Sequence, residues 1–208
     1  MPPSPEAAHA GALLLTLSAG AAAGLLPPGR LRPPWITLAV AALTAAGFAV
    51  QLASPHLLAL LARDPALLTR GQLWRAVTAL FFQDGAVTGV VSNLTVLLLL
   101  GAIAETQLDR LRWLAVYFGG GVLTEFLALA WQPHGAGNSI ACFALAGALT
   151  LRGAERASWW RLAPRLTALA SGLALLLMRD IHGIGFFAGA ALLALLTRGR
   201  RKPSPQRA

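Results

Sequence analysis

Ser139 and His182 are two residues whose types and settings could do covalent chemistry together, a hydroxyl nucleophile and an imidazole base. Each opens an apolar run, in HGAGNSIACFALAGALTLRG (134–153) and RDIHGIGFFAGAALLALL (179–196). Gly135 and Gly137 precede Ser139, so the backbone there can approach a neighbour or leave its N–H groups free for an anion. Free N–H groups are what a tetrahedral oxyanion requires. Gly185 and Gly189 follow His182 at i+3 and i+7, so one helical stripe reads His, Gly, Gly. A stripe without side chains lets a second helix come to backbone distance. The stripe from Ser139 runs through Phe143, Ala146 and Thr150, with Gly147 beside it. If the two stripes face one another, the hydroxyl and the imidazole meet at one depth. The His then takes the Ser proton during attack and returns it to a leaving amine.

Five other residues are weighed against that chemistry. Phe143, one turn below Ser139, is placed to support the imidazole ring. Asn93 sits inside another apolar run, where its amide can donate to an oxyanion. Glu105 ends that run close to Arg110 and Arg112 and reads as a structural partner at the membrane interface. Asp180 lies two residues before His182, about 200° away on a continuous helix, so the expected site is a dyad. Cys142 has nothing basic near it in sequence and reads as inert packing.

The elements that must position these groups follow from composition. Of 208 residues, 56% are hydrophobic and 12% charged, and several runs approach the roughly 20 apolar residues that cross a bilayer. Seven runs are predicted, at about 9–27, 35–53, 87–105, 112–131, 138–152, 162–178 and 181–197. Only helices or closed barrels satisfy the backbone in lipid, and no period-2 alternation suggests a barrel. The fold class is therefore all-α, a polytopic membrane helix bundle. MPPSPEAAH lacks the Lys or Arg of a signal peptide's leading segment, so the first run reads as a retained helix.

The net charge of +9 reports topology, not nucleic acid, because the basic residues fall between apolar runs. With seven spans, only Arg63, Arg70, Arg75 and Arg179 of the 17 Lys and Arg fall on the side opposite the C-terminus. The positive-inside rule then makes the C-terminus cytoplasmic, with the plasma (inner) membrane as the expected location. The chain divides into a tail (1–8), an extra N-terminal helix with its basic loop (9–34), a six-helix core (35–197) and a basic tail (198–208). That tail is expected to be disordered or to lie on anionic lipid. The long connector Ser54–Ala86 is expected to fold onto the bundle, with Trp74 interfacial and Arg75 reaching for headgroups or loop carbonyls. The single cysteine excludes an intramolecular disulfide, no Cys/His cluster has metal-ligand spacing, and no metal or cofactor is expected.

In this order, these residues resemble the rhomboid family of intramembrane serine proteases, over roughly Trp35 to Leu196. The family's Gly-x-Ser-Gly corresponds to Gly137-Asn138-Ser139-Ile140, and its His-x-x-Gly-x-x-x-Gly to His182, Gly185 and Gly189. Its loop Trp-Arg pair matches Trp74-Arg75, and its Gly-x-x-x-Glu matches Gly101 to Glu105. The resemblance implies a six-helix rhomboid-like core and a serine endopeptidase with Ser139 as nucleophile and His182 as general base. The Ser139 N–H and the Asn93 amide would form the oxyanion hole. Trp74-Arg75 would brace the bundle, and the substrate would be another membrane protein's helix. Two positions depart from the pattern. Gly89 stands where the family often has a second oxyanion donor, a His, and Ile140 replaces the glycine after the nucleophile; Asn138 is a candidate substitute donor. The alternative they raise is a pseudoprotease that binds membrane helices without cutting them. A transporter would show broken helices in paired repeats and mid-membrane charges, which the sequence lacks.

Overall fold

An apolar run inside lipid satisfies its backbone N–H and C=O groups by coiling into a helix. The computed structural model describes residues 5–23, 33–152 and 159–198, and helices occupy all seven predicted runs. The first two are α1 (Pro5–Ala23) and α2 (Trp35–Ala53). The long connector carries three short helices, α3 (His56–Leu61), α4 (Pro65–Thr69) and α5 (Arg75–Thr78). Then come α6 (Ala86–Gln107), α7 (Arg110–Ala130), α8 (Ser139–Arg152), α9 (Trp159–Leu177) and α10 (Ile181–Arg198). Within α7, Ala115–Gly119 form a π turn and Ala128–Ala130 a 3₁₀ turn. The first four residues, the 24–27 end of the first predicted run, the loop with Arg30 and Arg32, Arg156, and the tail from residue 199 lie outside the described residues.

Helix length sorts these elements. Among the described residues, α2, α6, α7 and α10 are long and apolar enough to cross a membrane. The apolar parts of the other three are shorter, at Ala10–Ala23, Ser139–Arg152 and Leu162–Leu177. The 14 residues of α8 rise about 21 Å against about 30 Å of hydrocarbon, so at least one end of it lies below the lipid boundary. Every residue from Ile140 to Thr150 is buried. A helix that is apolar all round belongs at the centre of a bundle, and α1, α6, α7 and α10 pack around α8.

The closest of these packings joins α8 and α10. A methyl group added at Gly185 would meet the Ile140 carbonyl oxygen at 2.6 Å, and Gly189 and Gly147 have still less room against the carbonyls of Ala144 and Phe186. The two glycine-bearing stripes do face one another at backbone distance.

Glu105 departs from its expected partners. Arg112 pairs with Asp109 at 3.3 Å, whereas Glu105 accepts hydrogen bonds from the Thr37 backbone N–H and from its hydroxyl at 2.9 Å. The physical cause is the start of α2, whose first-turn N–H groups have no intrahelical acceptor and attract a carboxylate. Gly101 makes this possible, because a Cβ there would sit 2.7 Å from a Thr37 methyl. The extra helix α1 lies along α9 and α8, burying Leu15, Ala19 and Ala22, and Gln107 on α6 donates to the Ala23 carbonyl at 2.9 Å.

Candidate active site

Ser139 is the first residue of α8 and His182 the second of α10. Because the glycine stripes hold these helix ends together, Ser139 Oγ lies 2.9 Å from His182 Nε2. Phe143 stands against the imidazole, with ring centroids 4.8 Å apart and planes inclined by 54°. The His182 side chain keeps 25% of its surface exposed, so the pair is reachable.

The sequence-based expectation for Asp180 is overturned. Its Oδ1 accepts from the His182 backbone N–H at 2.8 Å and lies 2.6 Å from His182 Nδ1. An angular offset of 200° presumes a continuous helix, and α10 begins only after Asp180. Beyond the end of α9, Arg179 stands in the left-handed region at φ 57°, and the N–H groups of Arg179 and Asp180 turn back onto the carbonyls of Leu176 and Leu175. That is a Schellman closure. It leaves Asp180 as the N-cap of α10, where a short acidic side chain folds over the first turn instead of projecting from it.

On the other side of Ser139 lies a set of amides. Asn93 Nδ2 donates to Gln83 Oε1 at 2.7 Å, and Gln83 Nε2 donates to Asn138 Oδ1 at 3.1 Å. Gln51, at the end of α2, holds the Gln83 backbone from both sides, accepting its N–H at 3.0 Å and donating to its carbonyl at 2.7 Å. Gly137 faces this group: a Cβ there would meet Asn93 Nδ2 at 3.3 Å, Gln83 Oε1 at 3.5 Å and Ser139 Oγ at 3.8 Å. The bare face of Gly137 thus opens a space bordered by the hydroxyl and the Asn93 amide. The Asn138 side chain turns inward, bonded to Gln83 and directed at Cys142 Sγ at 3.6 Å, and does not serve as a substitute donor. Ile140 is buried in the core, and the Gly89 position has open space around it.

The segment before Ser139 is clamped by the long connector. Arg63 N–H donates to the Gly135 carbonyl at 2.9 Å, Ala136 exchanges bonds with Asp84, and Gly137 N–H donates to the Ala79 carbonyl at 2.9 Å. The Arg63 side chain pairs with Glu125, both buried, and also donates to the carbonyls of Gln132 and His134. Arg75 takes the second of its two expected roles. Buried at 4% exposure, it donates to the carbonyls of Ala59 and Ala62 at 3.0 and 2.9 Å, while Trp74 stays 54% exposed.

This arrangement holds the parts of acyl-transfer chemistry. It has a hydroxyl against an imidazole, an unpaired helix-start N–H at Ser139, and an oriented amide donor. Sequence reasoning missed Asp180, Gln83 and Gln51. An acidic residue just before an apolar helix is an N-cap signal that identifies Asp180; no spacing rule points to the two glutamines.

A family model described as the rhomboid domain matches residues 70–199, more than half of the chain. That span contains Trp74-Arg75, Asn93, Ser139 and His182. A search of curated proteins finds no match. With its apolar helices, the chain is an integral, multi-pass membrane protein.

Proposed function

The chain belongs to the rhomboid family, which acts on membrane proteins within the bilayer, and on that premise we propose that it is a serine endopeptidase cleaving other proteins' membrane segments. The observation that carries this reading is the 2.9 Å approach of Ser139 Oγ to His182 Nε2.

Ser139 Oγ attacks the scissile carbonyl carbon while its proton passes to His182 Nε2. The oxyanion that forms is held by the Ser139 backbone N–H and by Asn93 Nδ2, whose orientation Gln83 fixes. His182 then gives the proton to the leaving amine as the C–N bond breaks, and a water attacks the acyl-enzyme by the same route in reverse. A helical substrate cannot offer its carbonyl to this site, because its backbone is enclosed by its own hydrogen bonds. The scissile stretch is therefore extended, and it enters near the end of the bundle that bears Ser139. By the charge pattern of the loops this end is extracytoplasmic, with the C-terminus in the cytoplasm of a plasma (inner) membrane.

One observation favours the second reading, a helix-binding pseudoprotease. The space at Gly89 is empty where the family often supplies a second side-chain donor, so the oxyanion site has fewer groups. Co-reconstitution in proteoliposomes with a panel of single-span membrane proteins separates the two. Cleavage within or beside a membrane segment, lost in Ser139→Ala, is the expected result. Stable retention of a partner with no cleavage contradicts the protease and supports the binder.

A further inference from the structure

Asp180 makes two contacts that ask for one carboxylate oxygen in one place. Oδ1 receives the His182 backbone N–H at 2.8 Å and faces the imidazole Nδ1 at 2.6 Å. An ionised carboxylate only accepts, so the ring nitrogen facing it carries the proton. The other nitrogen, Nε2, then presents its lone pair to Ser139 Oγ at 2.9 Å. The Asp180 backbone is fixed as well, because its N–H is bonded to the Leu175 carbonyl at 2.9 Å in the turn that closes α9. The Asp180 side chain is 11% exposed, so its charge acts on the ring with little intervening water.

We propose that Asp180 is a positioning residue that extends the Ser139–His182 pair to a three-membered relay, selecting the reactive tautomer and stabilising the imidazolium formed during attack. This rests on the reading of Ser139 and His182 as nucleophile and base. In the step itself the Oγ–H bond breaks as the Oγ–C bond forms, and the proton arrives on Nε2. The Nδ1 proton stays on the ring. Asp180 remains ionised throughout and offsets the positive charge of the ring until Nε2 releases its proton to the leaving amine. The helix cap and the relay use the same oxygen, so the start of α10 sets the ring.

A cap alone would explain the contact to the backbone N–H, and Asp180→Asn separates the two roles. Asparagine caps a helix as well as aspartate does, but it has no charge and can present an N–H to Nδ1. In the purified protein in detergent, the reaction rate of Ser139 with a fluorophosphonate probe is expected to fall at least tenfold in Asp180→Asn, with a smaller change in thermal midpoint than in Asp180→Ala. Asp180→Ala is expected to lose both rate and midpoint. Wild-type rates in Asp180→Asn overturn the proposal. If the wild type itself does not react, the protease reading fails, and nitrogen-15 NMR of histidine-labelled protein still tests Asp180. The His182 ring is expected to carry its proton on Nδ1 and to change in Asp180→Asn; an identical ring signature in both overturns the proposal.

Discussion

Asn93 is held by a single partner at one of its two amide hydrogens, since Nδ2 donates to Gln83 and retains a second N–H for an oxyanion. Asn93→Ala is therefore expected to lower turnover by about 10²–10³, as removal of one oxyanion donor does elsewhere; kcat on a cleaved substrate measures it, with KM little changed. The glycines of the helix contact behave differently. Gly185→Ala places a methyl 2.6 Å from the Ile140 carbonyl oxygen, a backbone atom that cannot step aside, so the helices must separate and carry His182 away from Ser139. The expected result is loss of probe reactivity together with a lowered thermal midpoint. Gly89→Ala meets nothing and serves as the tolerated control. Both stripes were legible in the sequence because a 3.6-residue period puts i, i+3 and i+7 on one face. Gln83 was not legible, because its partners come from three separate segments.

At the scale of elements, the junction between α9 and α10 does the most with the least chain. Arg179 occupies the left-handed position of the Schellman turn, which glycine usually fills and a side chain enters at a cost of roughly 1–2 kcal/mol. Arg179→Gly is expected to raise stability by about 0.5–1 kcal/mol, less than the full strain because glycine also loosens the unfolded chain. Reactivity at Ser139 should be unchanged, since Asp180 keeps its bonds, and denaturation of the two proteins in the same detergent checks both statements. This junction also shows where pattern reading stops. The runs 35–53 and 181–197 gave α2 and α10 nearly to the residue because apolar length marks a helix in lipid. The angular relation of Asp180 to His182 does not follow a periodic rule, because a helix starts between them. The short helices α3 to α5 leave no periodic signal at all, being one or two turns long.

For the whole molecule, the long connector is the part that turns a bundle into a site. Arg63 reads in the sequence as a loop charge, yet it is 3% exposed and paired with the fully buried Glu125 on α7. Its loop runs beside Gly135–Gly137, and the clamp sets the approach to Ser139. Breaking a buried pair leaves an uncompensated charge, so Arg63→Met is expected to cost about 3–5 kcal/mol, and Glu125→Leu combined with it should recover much of that loss. A double-mutant cycle on thermal stability measures the coupling. The seven apolar helices were implied by composition, whereas the way this connector folds depends on polar contacts between distant segments that no local pattern encodes. All these elements serve one juxtaposition, a hydroxyl against an imidazole at the start of a short central helix. Its most direct test is mass-spectrometric mapping of the adduct formed when the purified protein reacts with a fluorophosphonate probe. A single adduct on Ser139, absent in Ser139→Ala and strongly reduced in His182→Ala, is predicted; no adduct, or one that forms undiminished in His182→Ala, would contradict the account.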